Sequence, residues 1–328
     1  MTNHDNVIPE IEIAENEPLA ETLVEPIKSG PLPPAPDDLA AFWSEIDAEL
    51  AAVPANPEAT EIPLYSTEFS TTYNVKLTSI GSYRISAFVS VPHGAGPFPA
   101  LFLAPGYASV VTPPAYQDRQ RYVVMSLRYR GTRGSDWPYA AKFPGMLTDG
   151  IDDPKTWIMR GVIADALRGF EYLASRPEVD PTRIAINGGD SGLFVSARRS
   201  GVAAQALSAS FYYRMAETHA ATEAYPLEEI NDYVRTYPDK LEAVRRTLSY
   251  FEPAYLANTI SATVLLAGDN PDWYGPLESA LGSPVERYDT IHEGQTDRDA
   301  IEGWIADRLG AERLPRIWTP EAIGPWSS

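Results

Sequence analysis

The 328-residue sequence predicts an α/β protein with a mostly parallel, doubly wound sheet. The main observation is a regular alternation of short apolar segments with helical stretches from Pro97 onward, such as ALFLA, YVVMSLR and WIMRGVIADALRGFEYLASR. Parallel strands joined by helices that cover both faces of a sheet produce this alternation. The later strands are predicted at RIAING, ALSASFYY, ATVLLAG and VERYD. Two alternating segments bounded by Gly and Pro, YNVKLTSI and YRISAFVSV, precede them and are predicted to be antiparallel strands.

The chain divides into one folded domain and two tails. Residues 1–36 are rich in Glu and Pro, which predicts an acidic tail or extended arm with little structure of its own. Residues 37–313 form the predicted α/β domain, and a charged helical stretch at 217–250 interrupts the strand–helix rhythm as an insertion. Residues 314–328 are predicted to be a C-terminal tail.

A helical arm is predicted where the domain begins. Asp37 and Asp38 precede it, and aspartate is a favoured residue at a helix N-cap. The apolar residues that follow recur at helical spacing, so they share one face that is expected to pack on the domain: Leu39, Phe42, Trp43, Ile46 and Leu50.

Composition excludes several classes of partner and chemistry. The formal net charge of −19 disfavours nucleic acid and anionic lipid as partners, and no apolar run approaches the ~20 residues that span a bilayer. The absence of Cys excludes thiolate nucleophiles and disulfides, and no acidic cluster has metal-ligand spacing with one of the four histidines. We therefore expect no cofactor and no metal, a small-molecule substrate and, because the N-terminus has no signal-peptide pattern, a cytoplasmic protein.

The octet INGGDSGL, residues 186–193, is typical of a tight strand-to-helix turn that presents a nucleophile. If Gly188 and Gly192 frame the turn, Asp190 is at its centre. If Ser191 is the nucleophile, the second glycine is missing, because Leu193 occupies its place. The framing therefore favours Asp190 and leaves Ser191 as the alternative.

Two further predicted strands end in reactive side chains. The strand ATVLLAG leads to Asp269 and Asp272, and the strand VERYD leads to His292. In doubly wound sheets such residues meet at the carboxyl edge. The order nucleophile, acid, histidine is the order of an α/β-hydrolase triad, which predicts Asp190 as nucleophile, Asp269 or Asp272 as orienting acid, and His292 as base.

The motifs RYRGTRGSD, RIAINGGDSG, RRTLSYFEPAYLA and the closing HEG resemble the acetyl xylan esterase and cephalosporin C deacetylase family over about residues 32–309. The resemblance implies an α/β-hydrolase fold, removal of acetyl groups from small oxygen esters, and a homo-oligomer, commonly a hexamer. It also matches the family's Gly-Tyr to Gly106-Tyr107, whose tyrosine N–H would be an oxyanion donor. In the family the triad acid is followed four residues later by a proline; Asp272 and Pro276 match this pattern, so the resemblance implies Asp272 rather than Asp269 as the acid.

The resemblance fails at the turn itself. Counting from Arg183, the family's catalytic serine falls on Asp190 and the following glutamine on Ser191, whose N–H would be the second oxyanion donor. Arg130 matches an arginine of the family, and we expect it to support the site through an ion pair rather than to touch substrate. Gly188 and Gly192 are expected to support the turn.

An aspartate nucleophile changes the predicted reaction. A carboxylate that attacks an acyl carbon forms an anhydride and mostly reverts, whereas attack on a saturated carbon displaces a halide or opens an epoxide and leaves an alkyl ester for water to cleave. We therefore expect a hydrolase that uses a covalent Asp190 intermediate on an ester-like or carbon–heteroatom bond. The alternatives are that Asp190 acts as a general base, that Ser191 serves a serine-type acetyl esterase, or that the chain is an inactive relative serving as a binding or scaffold protein.

Overall fold

The computed structural model describes residues 30–107, 110–135, 137, 139, 141–142, 144–268, 273–291 and 294–314. Within these residues nine strands form one sheet. In chain order they are β1 (Glu58–Glu61), β2 (Ser70–Ser79), β3 (Tyr83–Pro92), β4 (Phe98–Ala104), β5 (Val123–Arg128), β6 (Val179–Gly189), β7 (Val202–Ala209), β8 (Thr263–Gly268) and β9 (Val285–Asp289).

The sheet combines an antiparallel edge with a parallel body. The spatial order is β1-β2-β3-β5-β4-β6-β7-β8-β9. β1, β2, β3 and β5 pair antiparallel in that order, and every pair from β5–β4 to β8–β9 is parallel. The predicted fold class, a mostly parallel sheet preceded by antiparallel strands, is confirmed.

Helices cover both faces of the sheet in the described part of the chain. They are α1 (Leu39–Ala52), α2 (Asp118–Arg121), α3 (Ile158–Ala174), α4 (Ser191–Arg198), α5 (Met215–Thr218), α6 (Glu228–Thr236), α7 (Leu241–Ser249), α8 (Gly275–Ala280) and α9 (Gly294–Arg308). On one face α1, α3 and α4 enclose the larger apolar core. On the other face Ile301, Ile305 and Leu309, on and just after α9, pack on the alternate residues of β4 to β8. A parallel sheet needs this double cover because both of its faces are apolar.

The predicted arm helix is present as α1, and its five predicted apolar residues are buried. Trp43 is fully buried, stacks on Phe194 of α4 at 5.1 Å between ring centroids, and meets Phe251 edge-on at 5.7 Å. Asp38 stands at the N-cap position, but its side chain does not cap the helix. The carboxylate accepts a hydrogen bond from Tyr250 Oη at 2.6 Å instead, so this acid links the arm to α7.

The strand predicted at ALSASFYY is shifted toward the N-terminus. β7 begins at Val202 and ends at Ala209, so residues 211–213 lie in the loop beyond it. The pattern misled because residues 202–206 are small side chains around a fully buried Gln205, as suits a central strand between β6 and β8. The loop that results contacts Asp190, as described below.

The predicted insertion, 217–250, contains the second half of α5 and all of α6 and α7. The predicted tails, 1–36 and 314–328, lie mostly outside the described residues. None of the helices that the structure describes is both long enough and apolar enough to cross a lipid bilayer.

Truncating Trp43 tests how firmly the arm is attached. We expect Trp43→Ala to lower the free energy of unfolding by about 3–5 kcal/mol, because a fully buried ring between α4 and the loop at Phe251 leaves a cavity that cannot collapse. Urea unfolding followed by circular dichroism measures the change. The control is Leu64→Ala, whose side chain is 84% exposed, and which should stay within about 0.5 kcal/mol of the parent. Equal effects of the two substitutions would show that α1 contributes little to the core.

Candidate active site

Three segments meet at the carboxyl edge of the sheet. Residues 105–107 follow β4, Asp190 follows β6, and residues 210–213 follow β7. These three strands are neighbours, so their ends lie side by side. The predicted acid Asp272, its rival Asp269 and the predicted base His292 follow β8 and β9 but lie outside the described residues.

Asp190 occupies the turn between β6 and α4, the place that the framing by glycines predicts. Its Oδ2 accepts three hydrogen bonds from consecutive backbone N–H groups, those of Phe211 at 2.8 Å and of Tyr212 and Tyr213 at 2.7 Å. Its Oδ1 is buried and has no hydrogen-bond partner among the described residues. Within the described residues the two oxygens of this carboxylate therefore have opposite environments, because Oδ2 has three donors and Oδ1 has none.

Burial controls the ionisation of this carboxyl group. Asp190 is only 1% exposed, and burial raises the pKa of its carboxyl group to about 6. The three backbone hydrogen bonds act in the opposite direction and lower this pKa, but burial has the larger effect. Near pH 7 the group is mainly a carboxylate. Its backbone is ordinary helical geometry, with φ −68° and ψ −8°, so the turn lacks the strained geometry that a nucleophile turn usually has.

A second buried acid holds the same loop. Glu252 accepts hydrogen bonds from the N–H of Arg214 at 2.6 Å and of Ala254 at 3.1 Å. Arg214 has φ 55°, a left-handed backbone that is rare outside glycine, and this carboxylate helps to hold it there. Burial raises the pKa of Glu252 to about 7, with the nearby charge of Asp190 acting in the same direction. The four consecutive N–H groups of 211–214 are thus all bound by two buried carboxyl groups.

Ser191 lies in the first turn of α4 and is 1% exposed. Its Oγ donates a hydrogen bond to the carbonyl of Pro105 at 2.5 Å. Tyr129 Oη donates to the next carbonyl, that of Gly106, at 2.7 Å. These two contacts fix the segment that carries Tyr107, and they commit the Ser191 hydroxyl hydrogen to a backbone acceptor.

The Tyr107 ring does not contact Asp190 directly. It stacks on Phe211 with ring centroids 5.5 Å apart, and its hydroxyl group donates to the carboxylate of Glu229 at 2.8 Å. The sequence expectation that the N–H groups of Tyr107 and Ser191 form the oxyanion site stays a prediction. The structure supplies a different set of donors, those of residues 211–213, at the carboxylate itself.

Arg130 follows β5 and is bound by a buried aspartate of α3. Its Nε and one terminal nitrogen bind the two oxygens of Asp165 at 2.9 and 2.8 Å, and its backbone N–H binds Asp165 as well. Both residues are buried, so each supplies the charge that the other needs. The sequence analysis predicts an ion pair for Arg130, and the structure contains one; that Arg130 does not contact substrate stays a prediction.

The two predicted framing glycines are needed for close approach. Gly188 has φ +135°, and a Cβ there would lie 2.9 Å from the carbonyl oxygen of Ala104 on β4. A Cβ on Gly192 would lie 2.8 Å from both Gln205 Nε2 and Ile186 Cγ2. A side chain at either position would push α4 and β4 away from β6, and the Asp190 turn would move with them.

Sequence reasoning missed the backbone donors of 211–213 and the acid Glu252. The first were assigned to a strand, and backbone groups carry no residue-type signal. Glu252 lies in the quoted motif RRTLSYFEPAYLA, and a lone acid before a proline in an apolar stretch was the available sign of a buried role. No group of three or more candidate metal ligands occurs among the residues that the structure describes.

A mostly parallel sheet covered by helices, with a tight strand-to-helix turn at the carboxyl end of β6, defines the class of α/β-hydrolase folds. Within that class the chain belongs to the acetyl xylan esterase (AXE1) family, whose model matches residues 25–273. The resemblance to acetyl xylan esterases drawn from the motifs is thereby confirmed for the family and the fold.

Individual relatives are distant. The acetyl esterase Axe7A of Xylanibacter ruminicola is 22% identical over 174 residues, which cover 48% of this chain and only 38% of that protein. The acetyl xylan esterase from Paenibacillus sp. R4 superposes with a TM-score of 0.73 at 22% identity, over 84% of this chain and 96% of that one. Acetyl xylan esterase 1 from Thermoanaerobacterium sp. JW/SL YS485 superposes with a TM-score of 0.72 at 21% identity, over 85% of this chain and 96% of that one. Such similarity establishes the fold.

The raised pKa of Asp190 predicts a pH signature of stability. The folded state holds this proton more tightly than the unfolded chain, whose ordinary value is 3.8, so the stabilisation is complete below about pH 3.8 and is lost as the pH rises through about 6. Asp190→Asn has no such proton. We therefore expect its unfolding free energy, relative to the parent, to increase between pH 4 and 6, by about 1.4 kcal/mol for each unit of pKa difference.

Urea unfolding at a series of pH values measures this difference. The matched control is Asp180→Asn on the same strand, because hydrogen bonds from Thr182 lower the pKa of that carboxyl group. Its contribution is lost only as the pH falls below the ordinary value, so its difference from the parent should be flat between pH 4 and 6. If the unfolding free energies of the parent and Asp190→Asn changed in parallel with pH, the Asp190 carboxyl group would not have a raised pKa in the folded state.

Proposed function

We propose that the chain hydrolyses a small organic substrate through a covalent ester on Asp190, with Oδ1 as the attacking atom. One observation supports this most: Oδ2 is held by three N–H groups, whereas Oδ1 has no partner among the described residues. A carboxylate anchored by one oxygen presents the lone pairs of the other in a fixed direction. Near pH 7 it needs no base to activate it, because its pKa is about 6.

In the first step Oδ1 forms a bond to a saturated carbon of the substrate. The bond from that carbon to a halogen, an epoxide oxygen or a carboxylate oxygen breaks, and the leaving atom keeps the electron pair. The product is an alkyl ester of Asp190 whose carbonyl oxygen is Oδ2. Because Asp190 is 1% exposed, this step requires that the side chains over Oδ1 open to admit substrate.

In the second step water attacks Cγ of Asp190, and a base takes one water proton. Negative charge then develops on Oδ2, which already lies 2.7–2.8 Å from three N–H donors. Donors placed where charge develops are the main device by which enzymes stabilise such intermediates. The Cγ–Oδ1 bond breaks, the alcohol takes up a proton, and the carboxylate is restored. We assign the base to His292 and its orientation to Asp272.

The family favours a small ester as substrate, because the named relatives are acetyl and acetyl xylan esterases. An aspartate cannot follow the serine route at the acyl carbon, since the anhydride that it forms reverts more readily than it proceeds. If the substrate is an ester, the bond that breaks is therefore the one between oxygen and the alkyl carbon. A halide or an epoxide fits the same geometry.

Two other functions have an observation in their favour. Family membership favours a serine-type acetyl esterase at Ser191, but that hydroxyl is buried and bound to the carbonyl of Pro105. The shielding of both Asp190 oxygens and the relaxed backbone of the turn favour a binding or scaffold protein without turnover. Each makes a distinct prediction for the experiments below.

A single turnover in oxygen-18 water separates the three functions. Enzyme in excess is mixed with 1-chlorobutane, styrene oxide or p-nitrophenyl acetate, and both product and enzyme are analysed by mass spectrometry. We expect unlabelled alcohol or diol, and one labelled oxygen in the peptide that contains Asp190. Label in acetate with an unlabelled Asp190 would instead show cleavage at the acyl carbon, by the serine route or with Asp190 as a general base, and no product from any substrate would support the binding protein.

Substitution at the turn provides the second test. We expect Asp190→Asn to reduce turnover by at least about 10³-fold, because an amide is a poor nucleophile, while it keeps an oxygen for the three N–H groups. Asp180→Asn should leave turnover unchanged. Asp190→Ser should lose turnover of the halide or epoxide. Unchanged activity of Asp190→Asn on the substrate that the parent turns over would overturn the proposal.

A further inference from the structure

Three aromatic rings lead from Asp190 to the protein surface. The N–H of Phe211 binds Asp190, and the Phe211 ring stacks on Tyr107 at 5.5 Å with an interplanar angle of 20°. On Tyr107 lies the ring of Tyr225, at 5.8 Å and 57°. Tyr225 is 70% exposed. We call these three residues the aromatic ladder; it begins beside the candidate nucleophile and ends in solvent.

A buried carboxylate flanks the ladder. Glu229, in the first turn of α6, is 8% exposed, and its two oxygens accept hydrogen bonds from Tyr107 Oη at 2.9 and 2.8 Å. The N–H of Leu147 donates to Oε2 at 2.9 Å. A Cβ on Gly145 would lie 2.0 Å from the Glu229 carboxyl carbon, so only glycine lets the carboxylate reach this place.

In the part of the chain that the structure describes, Glu229 accepts hydrogen bonds only from uncharged donors. Its neighbours there are a phenol and a peptide N–H, and no Lys or Arg side chain forms an ion pair with it. A buried negative charge without a positive partner is unfavourable, and burial raises the pKa of Glu229 accordingly. By contrast, Asp165, the buried acid of α3, is paired with Arg130.

We propose that Tyr225, Tyr107 and Glu229 form a binding site for an organic cation, the alkylammonium group of the substrate. The exposed ring of Tyr225 can present a face to such a cation, and the nearby Glu229 carboxylate attracts it electrostatically. The net charge of −19 also raises the concentration of cations around the protein. Cation binding stands on this geometry alone, whereas the use of the site by a substrate rests on the proposed function.

Binding is measured with tetramethylammonium, and tert-butanol serves as a neutral group of similar size. Calorimetric titration of the full chain should show saturable binding of the cation, at least about tenfold tighter than the alcohol. We expect Glu229→Gln to weaken cation binding about tenfold and Tyr225→Ala about fivefold, with Tyr225→Phe close to the parent because it keeps the ring.

The matched control is Glu228→Gln, the adjacent residue on α6. Glu228 points elsewhere and is paired with Arg235 and Asn231, so this change should leave the affinity for tetramethylammonium unaltered. Because Tyr225 is exposed, its variants should remain folded, so unfolding would not explain a loss of affinity for tetramethylammonium. Equal affinity for the cation and the alcohol, or equal affinity of the parent, Glu229→Gln and Tyr225→Ala, would overturn the proposal.

Turnover separates this site from the chemistry at Asp190. The matched substrates are 2-chloroethyltrimethylammonium and 1-chloro-3,3-dimethylbutane, which differ in one charge at nearly the same shape. We expect kcat/KM to be about tenfold higher for the cation and the advantage to vanish in Glu229→Gln. If the cation binds but no oxygen-18 enters Asp190, the covalent mechanism is refuted and the cation site is retained. If oxygen-18 enters Asp190 but the cationic substrate is not preferred, the cation site is refuted and the covalent mechanism is retained.

Discussion

The hydrogen bonds from three successive N–H groups to Asp190 Oδ2 join the parts of the carboxyl edge. Asp190 follows β6 and precedes α4, whereas residues 211–213 follow β7, so one oxygen couples two strand ends and a helix. The N–H of Asp190 donates in turn to the carbonyl of Ala209 at 3.1 Å. Converging amides that would otherwise bind an external anion are thereby occupied by the protein's own carboxylate.

This arrangement explains how the chain can bury an aspartate at the turn between β6 and α4. A carboxylate transferred from water to a buried place needs strong donors, and the loop after β7 supplies them without any cation. The same donors that stabilise the ground state can serve the charge that develops during hydrolysis of an ester on Asp190. Stability and proposed chemistry then depend on the same three contacts.

Buried acids at this edge follow two different patterns. Asp190, Glu252 and Glu229 are bound by peptide N–H groups and a phenol, and the pKa of each is raised by burial. Asp165, farther from the edge, is neutralised by Arg130 at 2.8 Å. In the part of the chain that the structure describes, the first three carboxylates form no ion pair, so their negative potential is available to a positively charged group.

The sequence by itself determined the alternation of strands and helices, the buried face of α1 and the place of Asp190 between Gly188 and Gly192, because periodicity and glycine spacing are local properties of the chain. Only the tertiary structure decided where β7 ends, what Asp190 binds and which partners Glu229 has. These depend on backbone N–H groups and on residues far apart in the chain, such as Asp190 and Tyr213 or Tyr107 and Glu229. Peptide donors are the same at every position, so residue type carries no sign of them and packing alone brings them to the carboxylate.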